Sequence, residues 1–162
     1  MQPFLLLQLL TLLAVANGTP VIAKRVLGNA LARPLDGGAV FRDGRPLFGP
    51  AKTIRGIVLS LLVTPLVAAL MGLQSELGVL VAAAAMAGDL FSSFVKRRMG
   101  LPSSSKAIGL DQIPESLFPL AASGMLVPVT VVDIVAGVIA FLGGSLVLSR
   151  VLFYLHLRDR PH

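Results

Sequence analysis

A polar stripe interrupts one of the most apolar stretches of this chain. Its members recur at positions i, i+3, i+4, i+7 and i+8, which share one face of an α-helix: Asp89, Ser92, Ser93, Lys96 and Arg97. A carboxylate within an apolar helix is costly unless it faces a partner, an ion or water. We therefore expect Asp89 to face a partner, an ion or a water-filled cavity; the simpler alternative is an ion pair with Lys96 or with a loop arginine.

Two more carboxylates follow downstream of this stripe. Asp111 and Glu115 stand at i and i+4, so on a helix both would point to one side, near Asp89. Carboxylates held together repel one another unless a cation lies between them, and Mg²⁺ takes oxygen ligands while keeping substrate phosphates in its shell. The sequence therefore predicts a magnesium site. The alternative for Asp111 is that it only caps the helix that follows.

The longest polar segment, residues 24–55, combines glycine with basic side chains. Its glycines allow backbone N–H groups to approach phosphate oxygens. It also offers three positive side chains and a hydroxyl that can bind phosphate: Arg45, Lys52, Arg55 and Thr53. The Walker A spacing is missing, so no P-loop fold is implied. The segment predicts contact with an anionic ligand, and a solvated loop is the default alternative.

The basic residues also show how the chain relates to a membrane. All 14 Lys and Arg residues fall within residues 24–55, 96–106 and 150–160, and nearly apolar stretches separate these segments. With 55% hydrophobic and 14% charged residues, the chain has too little polar surface for a soluble domain. It has no cysteine, and both histidines lie in the C-terminal tail, so we expect oxygen ligands for any metal.

A spanning helix needs about 20 apolar residues, and five stretches are proposed: about 3–23, 56–73, 76–95, 112–128 and 131–154. The first is interpreted as an uncleaved span rather than a signal peptide, because its basic residues follow the apolar run. The positive-inside rule places the N-terminus outside and the C-terminus in the cytoplasm, with long cytoplasmic loops between helices one and two and between helices three and four. The predicted fold is a single all-α membrane-embedded domain, residues 1–162, with five transmembrane helices.

Taken together, these groups resemble the CDP-archaeol synthase family and, more distantly, CDP-diacylglycerol synthases. The resemblance extends from the first span to the start of the fourth and follows the family's order. It is carried by Asn17-x-x-Pro20, by Asp43-Gly44-Arg45 with Gly49-Pro50-x-Lys52-Thr53-x-Arg55-Gly56, by Gly88-Asp89 with Ser93-Phe94-x-Lys96-Arg97-Arg98, and by Asp111-Gln112.

This resemblance implies a Mg²⁺-dependent cytidylyltransferase of phospholipid biosynthesis. A lipid phosphate resembling either 2,3-bis-O-geranylgeranylglycerol phosphate or phosphatidic acid would attack the α-phosphorus of CTP, giving a CDP-lipid and pyrophosphate. The implied catalytic residues are Asp89, Lys96 and Asp111, and the implied Mg²⁺ ligands are Asp89, Asp111 and Glu115. Substrate binding is implied for Asn17, Asp43, Arg45, Lys52, Thr53, Arg55, Ser93 and Arg97.

The resemblance also implies partners and a location. The partners are CTP, a lipid phosphate and membrane lipids, with no nucleic acid, and a homodimer is an open alternative to a monomer. The location is the plasma membrane, with the active site facing the cytoplasm. The chain departs from the family pattern at one point: the family usually has Asp-Gln-Leu-Asp, whereas here the second carboxylate is Glu115, which is longer and one residue later.

Two other functions compete with this interpretation. One is a non-enzymatic membrane transporter or a lipid- or anion-binding protein, although its polar residues should then line a path across the membrane rather than gather at one end. The other is a CDP-alcohol phosphatidyltransferase. Its Asp-x-x-Asp-Gly-x-x-Ala-Arg pattern is absent, and Asp36-Gly37-Gly38-Ala39 is only a fragment of it.

Overall fold

The structure is a computed structural model that describes residues 2–103, 105, 107 and 109–154, with side chains through residue 147. It contains five α-helices: α1 (Pro3–Leu27), α2 (Ile54–Leu70), α3 (Ser75–Arg98), α4 (Gln112–Ser123) and α5 (Val131–Tyr154). The described residues form no extended strand, only isolated bridges between Pro34 and Thr53 and between Val40 and Pro46. The all-α class and the number of helices are confirmed. Arg158 and Arg160 of the third basic segment lie outside the described residues.

The boundaries of α2 follow from local chemistry. Its first turn is capped by Thr53, whose hydroxyl accepts a hydrogen bond from the Gly56 N–H at 3.2 Å, so the helix begins two residues before the predicted span. It ends at Leu70, and Gly72 then turns the chain with a φ of +74°, a conformation that glycine adopts without strain. The hydroxyl of Thr53 therefore caps α2 as a hydrogen-bond acceptor.

The fourth helix is shorter than the predicted span 112–128, because α4 has only 12 residues and ends at Ser123. Beyond it, the N–H groups of Gly124, Met125 and Leu126 bond to carbonyls three residues back, which tightens the last turn. Pro128 then has no N–H to donate and disfavours a helical residue before it. At 1.5 Å per residue α4 extends about 18 Å, so the prediction of one continuous helix over 112–128 was wrong.

The helices pack around α3, which contacts α1, α2 and α4, while α4 also packs on α5. The central core consists of buried leucine, valine and alanine side chains: Leu6, Leu9, Leu12, Leu13, Ala68, Leu77, Val81 and Leu120. A second cluster nearer the basic end of the bundle contains small residues, Ala16, Ala82 and Ala85, with Met86. Small side chains there let the helix backbones approach closely.

Hydrogen bonds define the two ends of the bundle. At one end the backbone N–H of Gln2, before α1, donates to Asp133 in the first turn of α5 at 3.1 Å. At the other end α1 finishes next to the start of α2, because Arg55 donates to the carbonyls of Gly28 and Ala30. The basic loop between α1 and α2 and the basic end of α3 therefore share one end of the bundle.

Length and composition identify membrane-spanning candidates among the described residues. The helices α1 and α3 are long and apolar enough to cross a bilayer, while α2 and the described part of α5, Val131–Val147, are shorter apolar helices.

Candidate active site

The site is built where α3 and α4 approach each other most closely. A Cβ added to Gly88 would lie 2.2 Å from the carbonyl oxygen of Pro114, so only glycine allows this contact. The next residue along each helix carries a carboxylate, and the side chains of Asp89 and Glu115 consequently lie side by side. The predicted proximity of these two carboxylates is therefore a property of the fold, and Gly88 is the residue that permits it.

Asp89 forms an ion pair with Lys52 of the long loop. Both side chains are partly shielded, with 21% of the Asp89 side chain and 23% of the Lys52 side chain exposed. The sequence suggested Lys96 or a loop arginine as the partner in such an ion pair. Those partners were wrong, because the loop turns back over α3 and brings a lysine thirty-seven residues away in sequence to this carboxylate.

Lys96 pairs instead with Asp111. Its ammonium nitrogen lies 2.6 Å from Asp111 Oδ1 and donates to the carbonyl of Ser105 at 2.9 Å. The other carboxylate oxygen of Asp111 accepts the backbone N–H of Ala107 at 3.0 Å. Asp111 occupies the N-cap position of α4 but makes no side-chain capping hydrogen bond. The capping alternative is therefore wrong, and Asp111 connects the loop between α3 and α4 to the polar stripe of α3.

The carboxylates and lysines alternate within one small region. Glu115, half-buried at the start of α4, is within electrostatic reach of Asp89, Asp111 and Lys52. Among the described residues, no three Asp, Glu or His side chains are already arranged as a metal cage. The donors are nevertheless carboxylate oxygens on adjacent elements, which is the chemistry that Mg²⁺ prefers. Asp89, Asp111 and Glu115 thus supply the type of donor that a magnesium ion takes, and a Mg²⁺ site would require Lys52 and Lys96 to move to another partner.

The loop over the site is organised by Asp36, whose role the sequence did not reveal. One oxygen of its carboxylate accepts the N–H of Gly38 at 3.0 Å, and the other accepts those of Phe48 and Gly49 at 3.0 and 2.9 Å. Burial alone would raise the pKa of the Asp36 carboxyl, but these backbone N–H donors outweigh it and lower the pKa below its ordinary value. Asp36 thus holds the two halves of the loop together.

Two predicted substrate ligands in the loop, Asp43 and Arg45, contact the end of α3. The Asp43 carboxylate pairs with Arg98 at 2.7 Å. The guanidinium of Arg45 donates to the carbonyls of Arg97 and Arg98. Arg98 was part of the sequence motif but not among the predicted site residues. Its signal was the run of three basic residues, which is also an ordinary feature of a membrane-helix end.

Arg55 is likewise engaged within the protein. It is 8% exposed and donates to the carbonyls of Gly28 and Ala30 after the end of α1. Gly28 and Ala30 lie just after the last residue of α1, so these bonds attach the end of α1 to the start of α2. Arg55 therefore sets the relation of α1 to α2.

The remaining candidates lie on the inner faces of α1 and α3. Ser93 is 3% exposed and Arg97 5%, and Arg97 donates to the Pro102 carbonyl at 2.8 Å. The side-chain amide nitrogen of Asn17 is buried and has no hydrogen-bond partner among the described residues. The structure thus brings Asp89, Lys52, Glu115, Lys96 and Asp111 together, whereas Asn17 lies on a separate helix, α1.

The chemistry of this region suits a phosphate-bearing ligand with a divalent cation. Lysine ammonium groups bind phosphate oxygens, and carboxylates bind the cation, so a ligand that brings both would satisfy every charged group here. Such a site can transfer a phosphoryl group by positioning and charge neutralisation.

Comparisons with known proteins agree with this chemistry. The family model described as CarS-like, CDP-archaeol synthase, matches residues 4–161. The CDP-archaeol synthase of Thermococcus onnurineus is 38% identical over 138 residues, which cover 78% of this chain and 75% of that protein. The CDP-archaeol synthase of Pyrobaculum islandicum is 32% identical over 152 residues, which cover 91% of each chain.

A solved structure is also similar throughout. It is that of an intramembrane enzyme for archaeal membrane lipids biosynthesis, and it matches with a TM-score of 0.71 and 34% sequence identity over 87% of this chain and 90% of that one. The integral membrane character expected from the apolar helices is thereby supported, and the non-enzymatic and phosphatidyltransferase alternatives are set aside. The chain belongs to the CDP-archaeol synthase family and is an enzyme of the cytidylyltransferase class.

Proposed function

We propose that this protein transfers CMP from CTP to an archaeol-type lipid phosphate, such as 2,3-bis-O-geranylgeranylglycerol phosphate, and so forms a CDP-lipid. The observation that carries the proposal is the meeting of two lysine–carboxylate pairs, Lys52 with Asp89 and Lys96 with Asp111, at one end of an apolar helix bundle. The lysine of each pair could bind a phosphate group, either of the nucleotide triphosphate or of a lipid at the bilayer surface. The carboxylate of each pair could bind the cation that accompanies the triphosphate. The names of the relatives support the choice of lipid.

The proposed reaction needs no protein nucleophile. A phosphate oxygen of the lipid attacks the α-phosphorus of CTP and forms a new P–O bond. The bond from the α-phosphorus to the oxygen that bridges to the β-phosphorus breaks, and pyrophosphate leaves with that electron pair. Lys52 and Lys96 neutralise phosphate charge as it moves toward the leaving group, while the polar stripe of α3 holds the nucleotide in line.

Magnesium would be held by Asp89, Asp111 and Glu115, the carboxylates that surround the two lysines. When bound, Mg²⁺ supplies neutralisation of the triphosphate and a fixed orientation for it. Asp89 and Asp111 would exchange their lysines for the cation, and Lys52 and Lys96 would exchange these carboxylates for phosphate oxygens.

We further propose that the site faces the cytoplasm at the plasma membrane. The support is that two basic segments meet at the end of the bundle opposite the Gln2–Asp133 contact, and basic segments are retained on the cytoplasmic side. CTP and Mg²⁺ are cytoplasmic, so a soluble nucleotide would meet a lipid phosphate at the headgroup level. The lipid chains would then remain in the bilayer.

The proposal is tested by incubating the purified protein with labelled CTP and either the isoprenoid-ether glycerol phosphate or phosphatidic acid, each with Mg²⁺ or with a chelator. We expect labelled CDP-lipid and an equal amount of pyrophosphate with the ether lipid, less or none with phosphatidic acid, and none with the chelator. Product formed equally well with the chelator would contradict the role of magnesium. A preference for phosphatidic acid would contradict the proposed lipid.

A further inference from the structure

We propose that Asp43, Arg45 and Arg98 do not contact substrate but form a clasp that positions the glycine-rich loop over the site. This inference rests on the proposed function, because the loop carries Lys52. The clasp is reciprocal: Arg98 of α3 donates to the loop, and Arg45 of the loop donates to the end of α3. Together they form the loop clasp, with Phe41 and Phe94 as its apolar part.

Most of the N–H donors of the Arg98 side chain are engaged in hydrogen bonds to the loop. One nitrogen lies 2.7 Å from Asp43 Oδ1, and the other donates to the carbonyl of Pro46 at 2.6 Å and to that of Arg45 at 3.3 Å. A guanidinium can hold several acceptors at once because its donors are fixed in a plane. A substrate phosphate would have to displace all of these partners.

Arg45 makes the matching contacts in the opposite direction. Its guanidinium donates to the carbonyls of Arg97 and Arg98, the last two residues of α3. These carbonyls have no partners within the helix, and positive charge is favourable at a helix C-terminus. Arg45 therefore caps α3, and this function occupies the side chain that the sequence suggested for phosphate binding.

Two aromatic rings lie beside these polar contacts. The rings of Phe41 and Phe94 meet edge to face with their centroids 5.3 Å apart. The guanidinium of Arg98 lies 4.8 Å from the Phe41 ring centre and 5.0 Å from that of Phe94. One isolated ion pair at a partly exposed position would add little stability. The aromatic contacts and the carbonyl acceptors make the clasp a packed unit instead.

The clasp lies between two other attachment points of the same loop. Asp36, which precedes the clasp, accepts the N–H groups of Phe48 and Gly49, which follow it, and Lys52 pairs with Asp89 three residues after Gly49. Asp89 and Arg98 stand on the same helix, about 13 Å apart along its axis at 1.5 Å per residue. The loop is thus held at both ends of the polar stripe. Releasing the clasp leaves the Lys52–Asp89 pair to carry the attachment of the loop to α3.

This arrangement predicts a specific kinetic effect. If the loop is closed only part of the time, the apparent affinity for substrate falls by that fraction, whereas saturating substrate restores the closed state. Loss of the clasp should therefore raise KM for CTP and leave kcat nearly unchanged. A residue that contacts the reacting phosphates would instead lower kcat.

Loop position can be measured without any activity, because the natural chain has no cysteine. Spin labels are attached to Val40→Cys, an exposed position beside the clasp, and to Glu76→Cys, an exposed position in the first turn of α3. These positions are separated by about the length of α3, roughly 33 Å, which is suitable for electron–electron distance measurement. The natural clasp should give one narrow distance distribution.

Four variants are compared in this labelled background. Arg98→Gln removes the ion pair by changing α3, and Asp43→Asn removes it by changing the loop. If one of these variants fails to fold, the other still tests the clasp. Arg98→Lys retains the charge but loses the planar arrangement of donors, and should give an intermediate distribution. Arg42→Gln is the matched control, since it removes a positive charge from the same turn, where Arg42 is exposed.

We expect Arg98→Gln and Asp43→Asn to broaden the distribution and to raise KM for CTP about tenfold with kcat within about twofold, as for a closed state that becomes a minor one. Arg42→Gln should match the wild type in both measurements. An unchanged distribution in Arg98→Gln and Asp43→Asn, or a fall in kcat at constant KM, would overturn the clasp. A wild type that makes no CDP-lipid would contradict the proposed reaction, while the distance distributions would still decide the clasp.

Discussion

Lys52 of the loop and Asp89 of α3 form an ion pair across thirty-seven residues of sequence. The relationship joins a lysine expected to bind phosphate to a carboxylate expected to bind magnesium. The ammonium group of Lys52 neutralises the carboxylate of Asp89, so neither charge is left unpaired in an apolar environment. Under the proposed function, substrate and cation would separate the pair together, and the binding of one would favour the binding of the other.

Removing Lys52 should release Asp89 for a cation. We expect Lys52→Met to bind Mn²⁺ about fivefold more tightly in the absence of CTP, because a partly exposed ion pair is worth up to about 1 kcal/mol. Turnover should fall in the same variant, since a phosphate-binding charge is lost. Calorimetric titration with Mn²⁺ measures the first effect. Lys24→Met, which removes an exposed lysine after the apolar part of α1, serves as the control.

Unchanged or weaker cation binding by Lys52→Met would show that Asp89 does not contribute to a cation site. The same titration of Lys24→Met should reproduce the wild type. A gain there of the same size would assign the effect to net charge alone.

Glu115 is the carboxylate at which the chain departs from the family pattern, and it lies beside Asp89, with which we propose that it binds the cation. We expect Glu115→Gln to weaken Mn²⁺ binding by about tenfold or more, the loss typical even of groups that only orient metal ligands. The isosteric amide keeps the packing against α3. Glu76→Gln, at the exposed far end of α3, should bind Mn²⁺ like the wild type. Equal affinity of Glu115→Gln and Glu76→Gln would leave Glu115 without a metal role.

Gly88 determines how closely α3 and α4 approach, since an added Cβ would lie 2.2 Å from the Pro114 carbonyl oxygen. We expect Gly88→Ala to lower the free energy of unfolding by about 1–3 kcal/mol, as for other overpacked contacts, and to reduce turnover by moving Asp89 away from Glu115. Thermal unfolding in nanodiscs measures the first effect. Gly143→Ala is the control, because nothing lies within 4 Å of its added Cβ. Equal melting temperatures for the two variants would contradict the close contact.

Asp36 should make loop stability depend on acid. The pKa of its carboxyl is lower in the folded protein than the ordinary value of 3.8, so its contribution to stability is complete above that value and is lost as pH falls through the folded pKa. We expect Asp36→Asn to lose about 1–3 kcal/mol near neutral pH, because one amide oxygen cannot accept from both halves of the loop. The difference in melting temperature from the wild type should shrink below about pH 4. A difference that stays constant to pH 3 would contradict this role.

The periodicity of the sequence was sufficient to predict the polar face of α3 and the number of helices. The stripe from Asp89 to Arg97 has the spacing of one helical face, and the structure places its members on α3. The apolar stretches correspond to the helices because a run of apolar residues can only be buried or face lipid. The end of α4 was predicted too late. Pro128 has no N–H, so it cannot bond to the carbonyl one turn earlier, and the helix therefore ends before the proline itself.

The partners of the charged residues could not be predicted in the same way. Lys52 reaches Asp89 only because Asp36 folds the loop and Gly49 adopts a φ of +91°. Such turns depend on several backbone groups at once, and the pattern of side chains does not specify them. The same is true of Arg45 and Arg55, whose charge suggested phosphate but whose donors meet backbone carbonyls at helix ends.

The central claim is that transfer of CMP to a lipid phosphate takes place at Asp89. The most direct measurement uses CTP labelled at the α-phosphorus with the isoprenoid-ether glycerol phosphate, and compares the wild type with Asp89→Asn, after confirming that both unfold at similar temperatures. We predict labelled CDP-lipid from the wild type and a loss of at least about a hundredfold in Asp89→Asn, as for removal of one essential electrostatic group. Absence of labelled lipid from the wild type, or full activity in a folded Asp89→Asn, would contradict the account.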